Sequence, residues 1–381
     1  MTKLKIVLWD FSKNAVSWMD ENVCMEKVCV EKHLLGSDDI VNETLSCEWD
    51  YIFCFLPNEA VILRQKFADI FQRLNISDKQ VVYALDLADW VAHCELGNYV
   101  LADGESKKRM TLHCEKQGRD FITCTVEGIS YVAGTTDRVI LDWMYLYDRN
   151  WADEEMQMFY QMAQKYYGIE PSKKGYFLDI GANIGTTCIY FKKKIDPSVT
   201  ILAFEPEEKN YRLLQTNLTL NNLSAESICE NYGLSEQSEE QILYVNKANP
   251  GQNSVLLDYG QEKENIDMVS LDDYLQNKGI LPQDIKYIWI DTEGFEPMVI
   301  AGAGKTLQNG RIPVFMELNP YLWNAAGMYE KLMQVLTGIY QKYLIIDEVL
   351  EGQEVLHDIE ELWQYREAPQ FWQHDIFLIK E

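Results

Sequence analysis

The sequence predicts an α/β protein: a doubly wound sheet over residues 171–381, preceded by a smaller α/β domain over residues 1–95 and joined to it by a connector over residues 96–170. Three observations carry this. From Gly175 onward, short apolar runs of strand length alternate with stretches of helical periodicity. Within that pattern, Tyr176-Phe177-Leu178 leads through Asp179 into Gly181-Ala182-Asn183-Ile184-Gly185, a turn where the backbone must bend sharply, and then into a helix opening at Thr186. Before residue 95 the same alternation recurs on a smaller scale, with strands over Leu4–Trp9, Tyr51–Leu56 and Val81–Leu85.

The chain has 381 residues, enough for two cores, and its 47% hydrophobic and 12% aromatic content is that of a folded protein. Sixty acidic residues against 34 Lys and Arg leave a net charge of −26, which speaks against a nucleic-acid partner and against docking on anionic lipid. Nine cysteines are scattered without CxxC spacing, and Cys24, Cys29, Cys54, Cys124 and Cys188 sit among apolar neighbours. That usage predicts buried free thiols in a reducing, cytoplasmic setting. His33, His93, His113 and His357 form no metal-ligand spacing with them. No signal-peptide core and no run of roughly 18 apolar residues appears, so no membrane association is expected. The expected partner is a small-molecule or carbohydrate substrate, and the sequence does not set an oligomeric state.

In the first domain a short helix is expected over Ser12–Asn22 and a longer one over Glu59–Leu74. The first turn, Asp10–Ala15, has no glycine for close phosphate approach, which predicts a Rossmann-like fold without the nucleotide site. In the connector, Phe121–Val126 and Ile129–Val132 flank Glu127-Gly128 as a hairpin. Asp153–Tyr167 reads as a helix ended by Gly168. The crowded Trp143, Tyr145, Tyr147 and Trp151 read as interdomain packing, with cover for a substrate cleft as the alternative. In the last domain, strands are expected at Val199–Phe204, Ser227–Glu230, Lys286–Asp291, Pro313–Glu317, Tyr343–Ile346 and Asp375–Lys380. Helices are expected from Thr186 to about Lys194, from Glu208 to Asn221 and from Met328 to Tyr340, with an inserted hairpin pairing Gln241–Val245 and Ser254–Leu257.

The glycine turn is not the dinucleotide fingerprint, which needs G-x-G-x-x-G. An acid two residues before the first glycine suits a cationic amine and suits a pyrophosphate badly, so Asp-x-Gly-x-Asn-x-Gly favours the amino-acid part of S-adenosylmethionine over NAD. Glu205 ends the next strand, 26 positions after Asp179, where an acid accepts hydrogen bonds from both ribose hydroxyls. Asp291-Thr292-Glu293 ends a central strand on the same side. Either acid there can hold a substrate hydroxyl, take its proton or ligate a divalent cation, while Glu293 can instead bond backbone N–H groups of the next helix. Glu317, with Asn319, ends the following strand in a substrate or a structural role. His374 stands before the final strand, as a general base if that strand begins at the crevice and as an exposed histidine otherwise. Gly302–Thr306 imitates a phosphate loop, but Val299 stands where that loop needs glycine.

Taken in order, Leu178–Gly185, Phe204-Glu205-Pro206, Leu234-Ser235-Glu236, Met268–Leu275 and Ile290–Gly294 resemble the motifs of the FkbM family of S-adenosylmethionine-dependent methyltransferases over about Phe177 to Leu318. The resemblance implies a class I methyltransferase fold, seven strands with the last antiparallel, and methyl transfer to a hydroxyl oxygen of a sugar or secondary metabolite. By matching positions it makes Asp179, Gly181, Ala182, Asn183, Gly185, Glu205 and Pro206 the cofactor-binding set. The expected catalytic candidates are Asp291, Glu293 and His374, with Mg²⁺ at Asp291 as another route. The first domain is similar to degenerate Rossmann-type domains attached to some bacterial members. The rival readings are an NAD-dependent oxidoreductase and a non-catalytic scaffold with a vestigial site.

Overall fold

In the computed structural model the described residues are 3–35, 48–56, 71–72, 76–247, 249–260, 262–370 and 372–381. The chain divides into two compact units, Met1–Arg119 and Asp120–Glu381. The break therefore falls after Arg119 and not at residue 95. Helices Cys94–Val100 and Glu105–Lys116 belong to the first unit, because Leu96, Val100, Leu101 and Met110 pack into its core with Ile6, Leu8 and Phe53.

The first unit holds a parallel sheet of β1 (Leu4–Asp10), β2 (Val28–Leu35), β3 (Tyr51–Phe55) and β4 (Val81–Tyr83), in the order β2-β1-β3-β4. Strand β2 was not legible, since it is an edge strand in which Glu31, Lys32 and His33 interrupt the apolar run. The expected helix over Glu59–Leu74 lies, apart from Phe71 and Gln72, outside the described residues. In the glycine-free first turn the Asp10 carboxylate itself fills the place of an anion. Its Oδ1 accepts the N–H groups of Ser12 (2.9 Å) and Lys13 (2.8 Å), and its Oδ2 accepts that of Ala15 (3.1 Å). Burial pushes this carboxyl up, but the donors of Ala15, Ser12 and Lys13 outweigh it and hold the pKa below its ordinary value. Its stabilisation is thus present above the usual carboxylate range and is lost as pH falls through the depressed value. Asp10→Ala is expected to cost about 1–3 kcal/mol by leaving these donors unpaired. Faster amide exchange over residues 6–22 would show the loss, and unchanged exchange there would contradict it.

In the second unit β5 (Phe121–Val126) and β6 (Ile129–Gly134) form the expected hairpin, with Glu127 (φ 50°) and Gly128 (φ 78°) supplying the left-handed turn that matches strand twist. The helix Asp153–Tyr167 ends in Gly168 at φ 64°. Its Phe159 ring sits 5.8–5.9 Å from the rings of Tyr287, Trp289, Phe315 and Phe377, which docks the helix on one face of the main sheet.

That sheet contains β7 (Gly175–Ile180), β8 (Val199–Phe204), β9 (Ser227–Glu230), β13 (Ile285–Ile290), β14 (Val314–Leu318), β15 (Lys342–Ile345), β16 (His357–Asp358) and β17 (His374–Ile379), while β10 (Gly233–Leu234), β11 (Glu239–Val245) and β12 (Glu262–Val269) form a separate three-stranded sheet. The order is β16-β15-β17-β14-β13-β7-β8-β9. Strands β9, β8, β7, β13 and β14 run parallel, and β17 runs antiparallel to both β14 and β15. Leaving aside the two-residue edge strand β16, this is the class I methyltransferase topology that the resemblance implies. The chain reverses its direction of travel across the sheet between β7 and β13. Ligands bind outside the carboxyl ends of strands at such a switch point.

Two expectations are corrected here. Strand β11 pairs along its length with β12, and Ser254 contributes only a bridge to Tyr244. The ladder stops there because side chains take over the backbone: Asn253 Oδ1 accepts the N–H of Asn246, and Asn246 Oδ1 that of Asn249, ahead of Pro250, which has no N–H. His374 also lies within the last strand and not before it. Among the described residues no helix is long and apolar enough to cross a membrane.

Candidate functional site

At the carboxyl ends of β7, β8 and β13 lies a cavity. The glycine turn forms one wall. Gly181 has φ 87°, and a Cβ built there would fall 1.8 Å from the carbonyl oxygen of Asp291, so the close approach of β13 requires glycine. Gly185, at φ 88°, caps the next helix, where a Cβ would fall 2.6 Å from Leu214. Asn183 takes a left-handed φ of 49° and donates its N–H to Glu205 Oε2 at 2.7 Å. Ala182 donates its N–H to the carbonyl of Phe204 at 3.0 Å. The turn after β7 and the end of β8 are thus tied together. Asn231 Nδ2 donates to the carbonyls of Glu205 and Pro206, both at 2.9 Å, and holds that strand end from the other side.

Glu205 is buried, and its Oε1 also accepts the Glu207 N–H at 2.9 Å. Burial pushes its pKa up to about 8, against the donors of Glu207 and Asn183 that favour the ionised form. Gly181, Asn183, Glu205 and Pro206 line the cavity; Asp179, Ala182 and Gly185 do not. The Asp179 Oδ2 accepts the Cys188 N–H at 3.2 Å, and burial pushes its pKa up to about 7. Successive side chains of a strand point to opposite faces, and on β7 it is Ile180 that reaches the cavity. The structure thus sets Asp179 against the first turn of the helix that follows the glycine turn, behind the cavity wall.

Asp291 and Glu293 stand on the far wall, shared with a second cleft. The Asp291 N–H donates to the Ile180 carbonyl at 3.0 Å, which keeps its carboxylate at the strand end between the two clefts. Burial of the carboxyl group among protein atoms, then the charges of Glu296 and Asp179, raise its pKa. Glu293, at φ 52°, is raised by burial and then by Asp291 and Glu296. The backbone-bonding role offered to Glu293 belongs instead to Glu296. This fully buried carboxylate accepts from Thr292 N–H and Oγ1 (both 2.9 Å) and Gly294 N–H (3.2 Å) through Oε1, and from Trp323 Nε1 (3.0 Å) through Oε2. Sequence reasoning missed it, although Glu at the first position of the helix Glu296–Gly302 was a readable signal.

The antiparallel register of β14 and β17 pairs Glu317 with Asp375 and Leu318 with His374. Glu317 and Asp375 line the second cleft. His374 lines neither cleft, and its Nδ1 lies 2.6 Å from Asp347 Oδ2. The last strand does begin at the crevice side, since His374 pairs with Leu318 at the carboxyl end of β14, but the imidazole is engaged by Asp347. Among the described residues no three His, Cys, Asp or Glu side chains are placed to share a metal ion.

Residues 179–344 match the model of the methyltransferase FkbM domain. This stretch is an FkbM methyltransferase domain. The FkbM domain match takes in the glycine turn, Glu205, Asp291, Glu293 and Glu317, and it ends before β17. A curated relative, "Methyltransferase 1" of Beauveria bassiana, is 34% identical over 132 residues, which is 34% of this chain. The chain spans about half (49%) of the length of that relative. Among solved structures, methyltransferase FkbM from Methylobacillus flagellatus is 12% identical with a TM-score of 0.34, over 99% of this chain and 90% of its own. The O-methyltransferase from Bacillus cereus, in complex with S-adenosylhomocysteine, is 10% identical with a TM-score of 0.34, over 60% of this chain and 81% of its own. The strand order, not these likenesses, carries the fold.

Proposed function

We propose that the FkbM domain transfers the methyl group of S-adenosylmethionine to a hydroxyl oxygen of a sugar or secondary metabolite. The observation that carries this reading is one cavity that joins the glycine turn, Glu205 and the Asp291–Glu293 pair. The residues present fit the cofactor. Asn183 Oδ1 and Asn253 Nδ2 are buried on the wall of that cavity without hydrogen-bond partners, an acceptor and a donor held ready for a polar ligand. Each Glu205 oxygen has one N–H and keeps lone pairs for ribose hydroxyls. Phe204, Leu234, Ile266, Met268 and Phe295 give an apolar wall suited to a purine face.

The cofactor would supply a sulfonium methyl to the hydroxyl oxygen, an O–C bond forming in line as the C–S bond breaks and S-adenosylhomocysteine leaves. The turn residues Gly181 and Asn183 and the acid Glu205 would hold it. Asp291 or Glu293, on the wall between the clefts, would take the hydroxyl proton. Carboxyls pushed up by burial and mutual repulsion are better matched to that task near neutral pH than ordinary ones. No step of this reading needs a metal.

Calorimetry with S-adenosylhomocysteine tests the reading. Glu205→Ala is expected to weaken binding by roughly 10–100-fold, the loss of hydrogen bonds to a charged group. Between pH 6 and 8.5 the wild-type affinity should rise, because ribose hydroxyls favour the ionised carboxyl whose pKa lies at about 8, and Glu205→Gln should remove that rise. The unliganded domain behaves in the opposite sense. Its protonated Glu205 contributes stability that is full below the unfolded pKa and is lost as pH rises through about 8. Binding of NADH without S-adenosylhomocysteine would sink the proposal.

A further inference from the structure

The second cleft is where a methyl acceptor would sit if the first cavity holds the cofactor, and its chemistry is unusually one-sided. Among the described residues seven carboxylates line it, with Arg149 as the one basic residue on its wall. Arg149 is already engaged: its NH2 donates to Asp153 (2.8 Å) and Glu154 (2.7 Å). Glu155, Asp291, Glu293, Glu317 and Asp375 are left without a cationic side chain among the described residues. Glu317 carries the sharpest sign. Its Oε1 accepts from Gln373 Nε2 at 2.9 Å, but its Oε2 is buried with no partner. Beside these acids Trp289 and Phe315 stack with centroids 3.5 Å apart, and Trp143 and Trp151 meet edge to face at 5.7 Å.

Carboxylates and aromatic faces on one wall make the surroundings that organic cations prefer. Among the described residues no three acids are grouped to ligate a divalent ion. A phosphorylated or carboxylated acceptor would be repelled; a neutral one could donate a hydroxyl to Glu317 Oε2 but would leave the crowded charges unbalanced. Resting on the methyl-transfer reading above, we propose that this cleft binds a hydroxylated amine such as an amino sugar, its ammonium held by Glu317, Asp375 and Glu155 and its reacting hydroxyl turned toward Asp291 and Glu293. The raised pKa values of Glu317 and Asp375, caused first by burial and then by their acidic neighbours, agree with a site that gains from an incoming cation. The aromatic cluster around Trp143 and Trp151 is then part of the acceptor wall.

The test uses the full chain. S-adenosylhomocysteine binding is measured first, and its failure would count against the methyl-transfer reading alone. Glucosamine, N-acetylglucosamine and glucose are then titrated by calorimetry, with and without S-adenosylhomocysteine. Glucosamine is expected to bind at least about tenfold more tightly than either neutral sugar, the worth of roughly one charged contact. That preference should shrink in high salt and fall below about threefold in the Glu317→Gln/Asp375→Asn variant, whose S-adenosylhomocysteine affinity confirms its fold. Should that variant not fold, Glu155→Gln on the helix surface is the substitute, expected to cut the preference at least about threefold. Absence of a preference for the amine, or a preference that survives these substitutions, overturns the proposal.

Discussion

Replacing Asp291 by asparagine is expected to lower kcat/KM by about 10²–10⁴-fold, the usual contribution of a positioned base. The change is nearly isosteric. The Asp291 N–H keeps its bond to Ile180 in β7, so the strand end stays in place. S-adenosylhomocysteine affinity should accordingly change by less than about tenfold, since a base acts on the transition state more than on bound cofactor. The pH profile gives an independent check. A base must be ionised, so the wild-type rate climbs as pH rises through the folded pKa, which burial and then Glu296 and Asp179 place above the ordinary carboxylate value. That limb should vanish in Asp291→Asn. If Glu293→Gln removes the limb and Asp291→Asn keeps it, the base is Glu293.

Glu296→Ala is expected to produce the largest loss of stability in the second unit. The substitution strips a fully buried carboxylate from four donors at once: Thr292 N–H, Thr292 Oγ1, Gly294 N–H and Trp323 Nε1. Breaking such a network costs about 3–5 kcal/mol, because the remaining donors stay buried without partners. For a domain of this size that corresponds to a Tm lower by roughly 6–20 °C. Glu293→Ala is the comparison. Among the described residues no hydrogen bond to the Glu293 carboxylate holds the loop, so its removal should shift Tm by only a few degrees while impairing activity. Equal thermal shifts in the two variants would contradict the division of labour between these acids.

The elements legible in the sequence were those specified by their own neighbours. The helix Asp153–Tyr167 came with its apolar stripe and its terminal Gly168, and the hairpin over 121–134 with its Glu-Gly turn. The strand–turn–helix around Gly181 came with glycines that the close approach of β13 demands. Strand β12 was hidden because Glu262, Lys263, Glu264 and Asp267 dilute its pattern, and only Ile266 and Met268 are buried in it. Tertiary structure alone decided the sides on which functional groups fall. A strand shows opposite faces to successive residues, so one position of register puts Ile180 and not Asp179 on the first cavity, and Asp375 and not His374 in the second cleft. Tertiary structure also gave Glu296 the loop that sequence reasoning had offered to Glu293, because the Trp323 indole it meets comes from a helix 27 positions further along the chain. Local pattern determines which residues can build strand, turn and helix. The pairing of strands distant in sequence determines where their side chains meet.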